Sequence, residues 1–126
     1  MSQILRDPRA FQRPRQRRPR VEDGSHLAFI RRLPCLSCGL PGPSEAAHLS
    51  ASAPAIGKRE RGKSEKADDK WTLPLCRVCH TEQHSQNEIK FWKALNIDPF
   101  KTALALWAAT GDDETGAMIV HNAGAE

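Results

Sequence analysis

The sequence predicts a small α+β domain in which two short strands precede a helix, with further helices on either side and metal-bound cysteines holding the unit together. Three observations predict this fold: two Cys-x-x-Cys pairs, two short apolar segments with strand character, and several stretches with helical spacing of apolar residues. The 126 residues suffice for one domain. A core of that size is marginal without a disulfide or a metal.

The N-terminal stretch, residues 1–22, is predicted to be a disordered basic arm. Residues 1–20 contain seven arginines and one acidic residue, so the arm carries a charge of +6 and the rest of the chain −2. Three prolines among these arginines leave too little apolar surface for independent folding. A basic arm on a nearly neutral body indicates an anionic partner such as nucleic acid, and a solvated tail is the alternative.

The first helix and the two strands are each marked by local signals. Ser25 is expected to cap a helix over residues 26–33, which Pro34 ends. Residues 45–50 and residues 71–75 are predicted as strands, and the loop between them is polar and rich in lysine. A helix is expected to open at the second cysteine pair, directly after the second strand.

Two more helices are predicted in the C-terminal half. Asn87 suits the start of one that runs to about Leu95. Asp98 caps the next helix, with Pro99 at its first position and Gly111 after its end. The residues expected on the buried face of this last helix are Phe100, Ala103, Leu104 and Trp107.

The predicted organisation is a basic arm over residues 1–22, a zinc-containing domain over 23–110 and a disordered tail over 111–126. No stretch has the apolar run of a signal peptide or of a membrane-spanning helix. We therefore expect a cytoplasmic protein without a membrane partner, in which thiols stay reduced and favour metal binding over disulfides.

The four cysteines form two pairs of identical spacing, Cys35 with Cys38 and Cys76 with Cys79. Each pair can offer two thiolates to one metal from a tight turn, and four thiolates complete a tetrahedron. This pattern predicts a closed structural Zn²⁺ site. Four buried thiols, or a redox role for either pair, are the alternatives.

Three histidines are candidates for chemistry. His80 and His84 share one face of the predicted helix, about 100° around from Cys79, so the helix can offer cysteine to one metal and imidazole to another. The alternative is a pair of surface histidines. His48 lies on the first predicted strand, where it is either a general base or a core histidine.

The order of these motifs resembles the HNH (ββα-metal) endonuclease family. The likeness is greatest to phage-type members related to the recombination-associated nuclease Ref, and it covers about residues 26–108. The stretches that carry it are Ala47-His48-Leu49, Lys66-Ala67-Asp68-Asp69, Leu73-Pro74-Leu75-Cys76 and Cys79-His80 with His84.

The resemblance implies a β-hairpin and a helix around one catalytic divalent ion (Mg²⁺, Mn²⁺, Ni²⁺ or Zn²⁺) beside the structural zinc. His48 would activate water, His80 and His84 would ligate the ion, and the ion would bind the scissile phosphate. The implied activity is hydrolysis of phosphodiester bonds in DNA, with RNA not excluded. A phage-encoded member would act in the host cytoplasm, and the oligomeric state is left unspecified.

Basic residues near this core are expected to hold neighbouring phosphates, which brings affinity and salt dependence without sequence choice. Arg77, between the second pair of cysteines, should point outward and contact phosphate or solvent. The expected nucleic-acid-binding residues are Arg13, Arg15, Arg17, Arg18, Arg20, Lys58, Arg59, Arg61, Lys63 and Arg77.

The sequence departs from the family pattern at two positions. Ala47 stands where many members carry an acid or a second histidine, and the middle Asn of the motif has no counterpart. The site is then either an active variant in which Asp69 orients the base or ligates the metal, or a non-catalytic zinc-binding nucleic-acid-binding module. A structural zinc scaffold whose C-terminal helices dock a partner is a third interpretation.

Overall fold

The computed structural model describes residues 23–50 and 68–124, and within them the fold is α+β. A two-stranded antiparallel sheet is surrounded by five helices in this part of the chain. In chain order the elements are α1 (Gly24–Arg31), β1 (Glu45–His48), β2 (Thr72–Leu75), α2 (Arg77–His84), α3 (Glu88–Ala94), α4 (Pro99–Ala108) and α5 (Asp113–Asn122). The predicted basic arm, most of the lysine-rich loop and the last two residues lie outside the described residues.

Helix α1 begins two residues earlier than predicted, because Asp23 and not Ser25 is its N-cap. The Asp23 side chain accepts a hydrogen bond from the backbone N–H of His26 at 3.1 Å, which satisfies one donor of the first turn. Phe29 and Ile30 on this helix are fully buried in the core. The helix therefore packs through one apolar face, as its spacing indicates.

The hairpin is short and central. Glu45 pairs with Leu75 at one end and His48 with Thr72 at the other. Ala47 and its partner Leu73 are fully buried between these ends. Both strand predictions are confirmed, and each strand is four residues long.

Helix α2 follows β2 after a single residue, Cys76, which acts as its N-cap. The helix packs against both strands and against α3. Its buried residues are Cys79 and Gln83, so one face turns to the sheet and the other to solvent. The element order strand, strand, helix is therefore observed as predicted.

Helix α4 has the predicted cap, since Asp98 accepts hydrogen bonds from the backbone N–H groups of Phe100 and Lys101. The predicted buried face is only partly right. Phe100 and Trp107 are only half-buried. Phe100 packs edge-on against the ring of Trp71, and Trp107 packs edge-on against the ring of His26. The residues of α4 that are buried are Pro99, Thr102, Ala103 and Leu106.

The prediction of a disordered tail from residue 111 is wrong for α5. Asp112 caps this helix through the backbone N–H of Thr115, and Val120 is buried in the core. Arg32 of the α1 C-cap donates two hydrogen bonds to Asp113, at 2.8 and 2.9 Å. The folded domain therefore extends to Asn122. None of the helices in residues 23–50 and 68–124 is long and apolar enough to span a bilayer.

Gly116 lets α5 approach α1 closely. A Cβ at this position would lie 2.7 Å from Phe29 Cζ and 2.9 Å from Leu33 Cδ2. Phe29 and Leu33 are 0% and 1% exposed, so neither side chain can move aside without displacing other core residues. Glycine is therefore required by packing, although it lowers the intrinsic stability of a helix.

We expect Gly116→Ala to lower the free energy of unfolding by about 1–3 kcal/mol, because overpacking outweighs the helix propensity of alanine. Urea unfolding of the metal-loaded protein measures this. Gly24→Ala is the matched control, since no atom lies within 4 Å of its Cβ, and should stay within about 0.5 kcal/mol of the parent. A Gly116→Ala protein as stable as the parent would contradict the packing argument.

Candidate functional site

The two cysteine pairs meet where the turn that contains Cys35 and Cys38 packs against the hairpin. The four Sγ atoms of Cys35, Cys38, Cys76 and Cys79 all lie within 4.8 Å of one another, and all four are free thiols. Cys38 Sγ and Cys76 Sγ are 3.8 Å apart. A tetrahedron with metal–sulfur distances of about 2.3 Å has edges of about 3.8 Å. The cluster therefore forms a site that could hold a metal ion, as predicted.

A tight turn presents the first pair of sulfurs. The backbone N–H of Gly39 donates to the Cys35 carbonyl at 2.9 Å, and the N–H of Cys38 donates to Cys35 Sγ at 3.4 Å. Gly39 has φ of +78°, which glycine adopts without strain. The N–H of Leu36 donates to the Pro74 carbonyl at 2.8 Å, so the turn is attached to β2. Backbone geometry thus sets the positions of the sulfurs.

The charge balance of the cluster favours a bound cation. A hydrogen bond from the backbone N–H of Cys79 lowers the pKa of Cys76 to about 7. Burial raises the pKa of Cys79 to about 12. The four sulfurs therefore cannot all be thiolates near neutral pH unless a cation compensates their charge, and metal binding would release protons.

His48, at the end of β1, is paired with Asp69. His48 Nε2 lies 2.8 Å from Asp69 Oδ1. The Asp69 side chain is 3% exposed and that of His48 is 29% exposed, so the carboxylate is enclosed while the imidazole reaches solvent. A carboxylate can only accept, which places the imidazole hydrogen on Nε2 and leaves the Nδ1 lone pair available.

The loop before β2 fixes the backbone of Asp69. Thr72 Oγ1 donates to the Asp69 carbonyl at 2.8 Å, and the N–H of Trp71 donates to the Asp68 carbonyl at 3.0 Å. The second carboxylate oxygen of Asp69 accepts a hydrogen bond from the backbone N–H of Asp23 at 2.9 Å. Asp69 is thus held at both its backbone and its side chain.

His80 and His84 face each other on α2, as their spacing predicts. Their Nε2 atoms are 3.1 Å apart. His80 Nδ1 lies 2.7 Å from Glu45 Oε1 at the other end of β1. The Glu45 carboxylate therefore holds the hydrogen of His80 on Nδ1, which leaves the Nε2 lone pair facing His84, and such an outer carboxylate is common behind metal-binding histidines.

The structure thus divides the residues around the hairpin into two groups. His48 and Asp69 form one, and Glu45, His80 and His84 form the other. Glu45 and His48 lie roughly 10 Å apart along β1, given a rise of about 3.3 Å per residue. In residues 23–50 and 68–124, the four cysteines are the one group of three or more metal-ligating side chains whose ligand atoms lie so close together.

Two contacts near the site have no counterpart in the sequence predictions. The backbone N–H of Ser50 donates to both carboxylate oxygens of Glu88, at 3.1 and 3.0 Å. Gln83 Nε2 donates to Glu88 Oε2 at 3.2 Å. Glu88 therefore attaches the chain leaving β1 to the start of α3. The contact between Ser50 and Glu88 joins residues 38 apart in sequence, and a single sequence carries no signal for it.

Of the predicted phosphate-binding residues, Arg77 alone lies within residues 23–50 and 68–124. Arg77 is exposed on α2, as expected. The others lie outside the described residues: Arg13, Arg15, Arg17, Arg18, Arg20, Lys58, Arg59, Arg61 and Lys63.

We expect the purified protein to retain one tightly held zinc per chain after dialysis, measured by elemental analysis. Cys76→Ser should lose this zinc and unfold at lower temperature, because removal of one thiolate opens the site. Val78→Ser is the control, since Val78 lies within the same Cys-x-x-Cys segment but is 68% exposed. Equal zinc content in the Cys76→Ser protein and the parent would rule out the four-sulfur site.

Comparison with known proteins gives a family but no activity. A family described as "Protein of unknown function (DUF968)" matches residues 6–98. The "Uncharacterized protein YdfU" of Escherichia coli (strain K12) is 33% identical over 78 residues, which are 62% of this chain and 20% of the relative. The chain therefore spans about a fifth of that relative's length. No solved structure matches. Because the family match covers well over half of the sequence, this chain belongs to the DUF968 family.

Proposed function

We propose that this chain is a metal-dependent HNH endonuclease that hydrolyses phosphodiester bonds in DNA. The observation that carries the proposal is the pairing of His48 with the buried Asp69 at the end of a hairpin that leads directly into a helix with two facing imidazoles. A phage or recombination setting and a cytoplasmic location are part of the same proposal.

His48 is the proposed general base. Asp69 accepts the hydrogen of Nε2, so Nδ1 can take a proton from the attacking water. The negative charge of Asp69 also stabilises the imidazolium that forms. Since the imidazole is partly exposed and the carboxylate is enclosed, the base is open to substrate while its orienting group is not.

His80 and His84 are the proposed ligands of the catalytic ion. Two nitrogens bound to one cation at about 2.1 Å lie roughly 3.0–3.4 Å apart, and the observed separation of 3.1 Å fits this range. Glu45 holds His80 in the tautomer that a ligand requires. When bound, the ion would supply Lewis-acid stabilisation of the charge that develops on the phosphate and the leaving oxygen.

The four-cysteine site is proposed to hold a structural Zn²⁺ with no open position. The four sulfurs would fill all four coordination positions of the ion, so no water could bind to it. This separates the two metal roles: one site would hold the turn against the hairpin, and the other would act on the phosphate. Both would share α2, through Cys79 on one face and the histidines on another.

Plasmid cleavage with Mg²⁺ or Mn²⁺ tests the nuclease proposal. We expect His48→Ala to lower the cleavage rate by about 10²–10⁴-fold, because the general base is lost. His121→Ala is the matched control, since His121 is exposed on α5 and has no proposed role. Equal cutting by the His48→Ala protein and the parent would reject His48 as the base.

A second candidate, a non-catalytic zinc-binding module that binds nucleic acid, is favoured by Ala47. This residue stands at the usual ligand position, is 0% exposed and pairs with Leu73, so a side chain there turns into the core. The module would keep the zinc and the phosphate contacts but would not cleave.

Salt titration of DNA binding tests the phosphate contacts shared by both candidates. We expect Arg77→Ala to reduce the slope of log K against log salt by about one, because one phosphate contact is lost. Arg31→Ala, which removes an exposed arginine from α1, should leave the slope unchanged. An unchanged slope in the Arg77→Ala protein would count against the contact. Binding by a parent that never cleaves would favour the second candidate.

A further inference from the structure

The carboxylate of Asp69 is bound from two sides. Oδ1 lies 2.8 Å from His48 Nε2, and Oδ2 accepts the backbone N–H of Asp23 at 2.9 Å. Asp23 precedes Asp69 by 46 residues, so this bond joins separate parts of the chain. The donor is a backbone N–H, so the residue type at position 23 gives no indication of this bond in the sequence.

Asp23 is itself rigidly placed. Its side chain caps α1 through the N–H of His26, and its carbonyl accepts the N–H of Leu27 at 3.1 Å. His26 is fully buried, with Nδ1 2.8 Å from Thr110 Oγ1 and its ring edge-on to Trp107. The start of α1 is thus attached to the end of α4. These contacts hold in place the backbone N–H of Asp23, which donates to Asp69.

We infer that Asp23 is a positioning residue, whose backbone N–H locks the Asp69 carboxylate in the orientation that keeps the hydrogen of His48 on Nε2. The inference rests on the proposed function for its catalytic consequence. Its structural content, the coupling of Asp23 through Asp69 to the tautomer of His48, stands apart from that function.

The physical basis is the freedom of a carboxylate to rotate. The terminal torsion of aspartate is broad, so each donor on the carboxylate narrows its range of orientations. The Asp23 N–H acts on the oxygen that does not face His48, and hydrogen bonds to charged groups are among the stronger ones. Without it, the preference of His48 for the Nε2–H tautomer weakens.

An amide-to-ester exchange at residue 23 tests the inference in the full zinc-loaded chain. Replacing Asp23 by the corresponding α-hydroxy acid removes its N–H, weakens the carbonyl of residue 22 as an acceptor and keeps the capping side chain. The matched control is the same exchange at Gly24, whose N–H has no intrahelical partner. That control weakens the Asp23 carbonyl as an acceptor for Leu27 but leaves the bond to Asp69 intact.

The first readout is the tautomer of His48 by imidazole ¹⁵N NMR without substrate, and the second is cleavage. We expect the exchange at residue 23 to shift His48 away from the Nε2–H form and to lower kcat roughly tenfold at unchanged KM, as loss of a group behind an active residue does. The exchange at Gly24 should change neither. In an Asp69→Ala background, which has no acceptor for the Asp23 N–H, the exchange at residue 23 should have no further effect on kcat.

An unshifted His48 tautomer in the residue 23 ester would overturn the inference, and so would equal effects of the two esters. If the parent never cleaves DNA, the proposed function fails, but the NMR readout still decides the positioning. If the ester protein does not fold, the Asp23 amide proton is followed in Asp69→Ala. That proton should move upfield and exchange faster than in the parent, and an unchanged resonance would refute the bond.

Discussion

Four sulfur atoms that must lie within 4.8 Å of one another are the constraint on which the described fold depends. One pair comes from the turn after α1 and the other from the junction of β2 and α2, so their meeting joins α1 to the hairpin and to the helix that follows. Thiolates at such distances repel each other, and the arrangement needs retained protons or a cation. A bound metal would let a four-residue hairpin hold its register with a small core around it.

Elements with local signals were predictable, and those that depend on distant packing were not. Asn87 and Asp98 cap α3 and α4 where the sequence predicts, because a capping side chain bonds to its own first turn. The helix α5 is not predicted because Gly116 weakens its local pattern, and the reason for this glycine lies in a distant residue, since a Cβ there would lie 2.7 Å from Phe29 Cζ. The buried face of α4 also depends on neighbours that no periodicity specifies.

The same division holds for the candidate site. The residue types and their order were readable, and the facing of His80 and His84 follows from a spacing of four on a helix. Their partners were not readable, because the decisive pairs are long-range. His48 meets Asp69 across 21 residues, His80 meets Glu45 across 35, and Asp23 meets Asp69 across 46. Asp69 was an ambiguous candidate in the sequence, as orienting group or ligand, and the observed contact is with His48.

The segment between Ser50 and Asp68 is flanked on both sides by residues that are hydrogen-bonded to other parts of the fold. The Glu88 carboxylate accepts the backbone N–H of Ser50, and the Asp69 carboxylate is hydrogen-bonded to His48 and to the backbone N–H of Asp23. Closing a loop costs only slightly more free energy as the loop lengthens. A change in the length of this segment should therefore cost little free energy, because Ser50 is attached to the start of α3, and Asp69 to the start of α1 and to β1, by hydrogen bonds between described residues.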